Sequence, residues 1–167
     1  QEISEQECIK RHCIWKKDDK PRVPWCYLDT TSVGYEIHEQ PENLANGVRV
    51  HLDVMPTAHA SVPFAPLLEH LMMTVTYVTN DIMRVKITDP QHKRFEVPIQ
   101  NEFNIPKDYI PNNTQYEVHF GKESSLVVTR KSTGAVLMDS SLGGMIYCDQ
   151  FLQFGFYLNS SNVYGFG

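Results

Sequence analysis

No stretch of this 167-residue chain reaches the roughly 18 to 20 consecutive apolar residues that a membrane-crossing helix requires. Its first residues, QEISEQEC, do not form a signal peptide, so no direct membrane insertion by this chain is expected. Basic charge is also scarce. Lys and Arg number 15 against 20 Asp and Glu, a formal net charge of −5, and only Lys10-Arg11 and Lys16-Lys17 place cations side by side. Nucleic-acid binders concentrate their cations, so no nucleic-acid partner is expected. Helical periodicity is hard to find. The histidines at 12, 38, 51, 59, 70, 92 and 119 show no i, i+4 pairing, which removes a zinc-peptidase reading. The chain begins without Met and ends at Tyr-Gly-Phe-Gly, which suggests a piece of a longer polypeptide.

What is abundant is alternation. From Leu71 to Ile99, Met73, Val75 and Tyr77 share one face, Asn80-Asp81 turns the chain, and Met83, Val85 and Ile87 resume the apolar side. Asp89-Pro90 opens a second turn, and Phe95, Val97 and Ile99 predict a third strand that Pro98 confines to an edge or strand end. Upstream, Tyr35 and Ile37 alternate with polar residues, and Asn46-Gly47 leads into Val48, Val50, Leu52 and Val54, which predicts a hairpin. Pro56, Pro63 and Pro66 make residues 56–70 an irregular crossing. Downstream, Tyr116, Val118 and Phe120 form one strand and Leu126 to Arg130 its partner. Ser132-Thr133-Gly134 then turns to Val136 and Leu137, and Met145 to Phe156 reads as a strand buried on both faces. The fold class is therefore all-β, an antiparallel sandwich.

Residues 1–33 differ in character. Cys8, Cys13 and Cys26 lie among Trp15, Trp25, Pro21 and Pro24, in a segment too short to bury a stable core unaided. A covalent staple is one reading, worth about 3 kcal/mol for a loop of this length. A metal site on Cys8, His12, Cys13 and Cys26 is the other, although the spacing lacks a second ligand pair.

Here the residues carry a resemblance. EQECIKRHCIW followed by RVPWCY resembles the second half of a trefoil (P-type) module. The resemblance implies a Cys8–Cys26 disulfide and leaves Cys13 without its family partner, whose position lies upstream of residue 1. Ile14 stands where many trefoils have a further cysteine, so at least one usual bridge is absent.

A second resemblance follows. KITDPQHKRFEVP, VVTRKSTGAVLMDSS and DQFLQFGFYLNSSNVYGFG, in that order, resemble the region before the catalytic barrel of glycoside hydrolase family 31 α-glucosidases of the maltase-glucoamylase and sucrase-isomaltase group. There a trefoil precedes a galactose-mutarotase-like β-sandwich. The implied domains are a partial trefoil at 1–33 and a sandwich at 34–167, incomplete at its C-terminus. The family's retaining chemistry uses two carboxylates about 5 Å apart, carried on a barrel of about 250 residues. A chain of this length has no room for that barrel, so no catalytic residue, no cofactor-binding residue and no metal ligand is expected, and no cofactor.

Independent constellations are few. Cys148 with a histidine would be a nucleophile and base, but a lone cysteine in an apolar run is usually core. Asp18-Asp19, Asp139 and Asp149 read as local hydrogen-bonding groups. Asn112-Asn113-Thr114 and Asn159-Ser160-Ser161 are N-glycosylation sequons, making Asn112 and Asn159 candidate modification sites.

The resemblance implies a non-catalytic N-terminal fragment of an α-glucosidase acting on maltose or starch oligosaccharides. It would buttress the absent catalytic barrel of the same parent chain, with an α-glucan oligosaccharide as a further candidate ligand. The implied location is the secretory pathway, at the extracellular face of the plasma membrane or secreted, ahead of the lysosome. The alternative is a free-standing secreted module that binds carbohydrate or protein through the trefoil, with Trp15 or Trp25 as a stacking platform. The contrary reading packs both tryptophans against the cystine and the sandwich.

Overall fold

The computed structural model describes residues 3–62, 66–98, 109–121 and 124–159. Two antiparallel sheets enclose the main core, as the alternation predicts. In the larger sheet, β5 (Gly47–Val54) pairs with β6 (His70–Tyr77), and β6 with β7 (Met83–Thr88). The register aligns Val48 with Val75, Val50 with Met73 and Leu52 with Leu71. One face of all three strands is therefore apolar, since side chains alternate with period two. Val50, Leu52, Leu71, Met73 and Val75 are buried. The second sheet, β8 (Tyr116–Phe120), β9 (Leu126–Arg130) and β10 (Val136–Asp139), turns Leu126 and Val128 into the same cluster. Each fully buried aliphatic side chain stabilises such a core by about 1.5 to 3 kcal/mol.

Several details depart from the sequence expectation. The hairpin around Asn46 is formed with β4 (Glu42–Leu44), whereas β3 (Tyr35–Ile37) pairs with the far end of β5, opposite Val54 to Leu52. Gly47 is required where β5 meets β6, because a Cβ there would lie 1.9 Å from the Val75 carbonyl oxygen. The irregular crossing at 56–70 holds a single turn of helix, α2 (Ala58–Ser61).

The expected third strand is absent over residues 93–98. Phe95 and Val97 are 87% and 69% exposed and pair with no strand; Ile99 lies outside the described residues. The polar side chains take the anchoring contacts instead. Glu96 accepts from Lys86 at 2.6 Å, and Arg94 donates to the Asp149 carbonyl at 2.8 Å, so the apolar pair faces outward.

The continuous strand expected from Met145 to Phe156 is likewise corrected. It is a small hairpin of β11 (Ile146–Tyr147) and β12 (Leu152–Gln153), broken at Asp149-Gln150. Met145, Ile146 and Cys148 are buried, but Phe151 and Leu152 are exposed. The hairpin is tied to the larger sheet by the Leu68 N–H, which donates to the Tyr147 carbonyl. The buried Tyr35 hydroxyl donates to the Leu68 carbonyl at 2.8 Å and lies 3.3 Å from that of Tyr147.

The N-terminal segment adds α1 (Glu5–Lys10), which the periodicity does not reveal because it is under two turns long. Ser4 caps it by accepting from the Glu7 N–H, and Glu7 pairs with Arg11 at 3.0 Å. It packs on the hairpin of β1 (Cys13–Trp15) and β2 (Cys26–Leu28). Leu28, at the end of that hairpin, packs on a second cluster of Val33, Ala58, Val62, Leu67, Ile146 and Cys148, which joins this segment to the sandwich.

Candidate functional site

Cys8 on α1 and Cys26 on β2 are joined in a disulfide, their Cα atoms 5.8 Å apart. The bridge takes both sulfurs out of the metal-ligand alternative, leaving only His12 and Cys13 of that set. Cys13 is a free, half-buried thiol 3.6 Å from the Arg11 carbonyl.

Beside the bridge lies an open cleft of about 710 Å³, lined among others by Trp15, Asp18, Asp19, Arg22, Pro24 and Trp25. The two indoles meet edge to face, centroids 5.8 Å apart and planes at 89°. Trp25 donates its Nε1–H to the Asp18 carbonyl at 2.8 Å, and Asp18 closes its own turn by accepting from the Lys20 N–H. The Trp15 Nε1 is buried and has no partner among the described residues. The lining is therefore amphipathic, combining indole surface with carboxylate and guanidinium groups. Trp25, 42% exposed, is the aromatic surface it offers.

The sandwich brings together a cluster that sequence reasoning missed. Asp53 on β5 accepts from the Nδ1 of His38 at 2.7 Å on one oxygen and from the Nδ1 of His70 at 2.6 Å on the other. The signal was present in part. Alternation on β5 puts Arg49, His51 and Asp53 on the face opposite the core, but His38 and His70 join them only through strand register. A mutarotase-like use would need a histidine and carboxylate in a cleft. This cluster lies on the outer face of the sheet, its histidines more than half exposed, rather than in a closed cleft. Its chemistry is that of a hydrogen-bonded clasp joining β5, β6 and the residue that follows β3.

Cys148 sits in the second core cluster, where loss of water raises its thiol pKa and makes it a poorer nucleophile. Asp139 accepts from the Ser141 N–H at 2.8 Å, which holds its carboxyl below the usual range, and Asp149 is bound by Arg94. Among the sequon asparagines, Asn112 is exposed. Asn159 is also exposed but donates its Nδ2–H to the Val136 carbonyl at 3.1 Å.

Comparison with known proteins now bears on these observations. A model of the trefoil (P-type) domain matches residues 1–29. Intestinal sucrase-isomaltase of Oryctolagus cuniculus is 33% identical over 98% of this chain. The chain therefore belongs to the glycoside hydrolase family 31 lineage. The probable maltase-glucoamylase 2 of Homo sapiens is also 33% identical, over 98% of the chain, and the lysosomal α-glucosidase of Mus musculus is 27% identical over 99%. The chain spans only 9%, 7% and 17% of the length of these three members of the lineage. Fold and lineage agree: a disulfide-stapled trefoil precedes an antiparallel sandwich.

Proposed function

We propose that this chain is a non-catalytic segment of an α-glucosidase, with a partial trefoil at 1–33 and a β-sandwich at 34–167 that buttress a catalytic (β/α)8 barrel of the same parent and wall its substrate pocket. The observation that carries this reading is the distribution of exposed apolar side chains. Leu142, Phe151, Leu152, Phe156, Tyr157 and Leu158 are each at least 36% exposed within one short stretch. So many exposed apolar side chains along one stretch favour burial against another domain. The parent acts in the secretory pathway, which suits the Cys8–Cys26 bridge, and its place is the extracellular face of the plasma membrane or the medium.

Hydrogen exchange tests the buttress. Amides of residues 142–158 are expected to be protected in the full parent and to exchange faster in the isolated chain. Equal exchange in both would refute it. The isolated chain is also expected to release no glucose from maltose.

The cleft beside Trp25 supports a second reading, a binding site for an α-glucan oligosaccharide. Calorimetric titration of the chain with maltooligosaccharides separates the two. Heat abolished by Trp25→Ala would favour binding, and no heat would leave the buttress alone.

A further inference from the structure

We propose that Asn112 carries an N-linked glycan, and that this glycan marks the end of the sandwich opposite the one at which the apolar β11–β12 hairpin is covered. For its compartment this rests on the secretory reading above, and for the covered end on the buttress reading.

The sequon Asn112-Asn113-Thr114 lies in a ladder-free connection between Pro111 and β8. Its neighbours fix the backbone without using the acceptor amide. The Asn113 N–H donates to Asn80 Oδ1, the Gln115 N–H to the Asn80 carbonyl at 2.8 Å, and Lys131 Nζ to Thr114 Oγ1 at 2.8 Å. The Asn112 side chain is exposed and makes no hydrogen bond among the described residues. An oligosaccharide there displaces no protein contact. At Asn159 the amide already holds the Val136 carbonyl, so a sugar at that nitrogen would crowd the chain running beside β10.

The two ends are separated by one strand. Leu67 and Leu68, just before β6, hold the hairpin through Cys148 and Tyr147, whereas Asn80, just after β6, holds the Asn112 connection. The seven steps from His70 to Tyr77 along the eight-residue β6, at ~3.4 Å each, put the ends about 24 Å apart. A glycan at Asn112 thus leaves Phe151 and Leu152 free to be covered. In the transfer, Asn112 Nδ2 attacks the anomeric carbon of a lipid-pyrophosphate-linked oligosaccharide. The N–C bond forms, the C–O bond to pyrophosphate breaks, and the amide gives up one proton.

The chain is secreted from mammalian cells behind a cleavable signal peptide and treated, still folded, with peptide N-glycosidase in heavy-oxygen water. Asn112 is expected to become labelled Asp, and Asn112→Gln or Thr114→Ala to abolish the label, whereas Asn159→Gln keeps it. An unmodified Asn112 beside an oxidised Cys8–Cys26 bridge refutes the site itself. Cys8 and Cys26 found reduced in the full parent expressed with its own leader would instead refute the secretory reading and, with it, the modification in nature. The geometric half is read in the full parent by creating a sequon on the hairpin with Gln150→Asn plus Leu152→Thr. That variant is expected to lose most secreted activity while Leu152→Thr alone retains it. Equal tolerance of glycans at both ends overturns the opposite-ends assignment.

Discussion

The trefoil segment and the sandwich solve the same problem by different means. Among described residues 3–28, Cys8 is the only buried apolar side chain, while Ile9, Ile14, Val23, Trp25 and Tyr27 remain exposed. The sandwich instead buries a contiguous cluster from two sheets, including Tyr35, Leu52, Met73 and Leu126. Below a few tens of residues, area cannot offset conformational entropy, and a covalent link that shrinks the unfolded ensemble takes over. The two regions should therefore respond to different perturbations. The chain supplies its own probe, because both of its tryptophans, Trp15 and Trp25, lie in the trefoil.

The largest effect is expected from Leu52→Ala. Leu52 is fully buried between β3 and β6, and removing its side chain from a packed core costs about 2 to 5 kcal/mol. In urea, the sheet signal in far-ultraviolet circular dichroism should move to lower midpoint, and tryptophan emission should keep its own. If both signals shift together, the Leu28 contact with the second cluster couples the regions into one unit and the contrast collapses.

Replacing Cys8 and Cys26 together by Ser perturbs the other region. A bridge spanning 18 residues stabilises by about 3 kcal/mol in the chain-entropy model. Tryptophan emission is expected to red-shift without denaturant while the sheet signal persists. An unshifted emission maximum would mean that the indole pair and α1 hold the segment without the bridge.

This contrast also explains what was legible in the sequence. Strands β5 to β9 stand where alternation places them, because a strand with one buried face writes its burial into every second residue. Phe95 and Val97 carry the same alternation, yet no strand forms, since Arg94 and Glu96 find partners that turn the apolar pair outward. The Met145 to Phe156 run misled for a related reason. Its apolar residues divide between a buried half and an exposed half that the proposed buttress would cover, and composition does not distinguish them. β4 left no signal, as Glu42–Leu44 is a three-residue edge strand with one apolar side chain. In the candidate sites, the Cys8–Cys26 pairing was legible through the trefoil resemblance alone. The clasp of His38, Asp53 and His70 depends on register across residues far apart in the chain.

The smallest expected effect is at Asp89, where a local motif rather than a core or a bridge holds the chain. Loss of water raises its pKa, but hydrogen bonds from the Gln91 N–H and from His92 more than offset this and leave the carboxyl below its ordinary range. The sign follows from linkage. A group whose pKa is lower folded than unfolded stabilises the fold above the unfolded value, about 3.9, and that contribution is lost as pH falls through the folded value. Asp89→Ala removes the turn acceptor as well as the charge, whereas Asp89→Asn keeps one oxygen for the Gln91 N–H and loses the charge together with the second oxygen that faces His92 Nδ1. Acid titration followed by the sheet signal should thus place the unfolding midpoint at higher pH in Ala than in the parent chain, with Asn between them. Tryptophan emission should be the same in all three, because Asp89 sits at the end of β7 and the indoles sit in the trefoil. Three coincident acid midpoints would show that the turn after β7 does not depend on this carboxylate, and that the course of residues 93–98 is set by Lys86 and Arg94 alone.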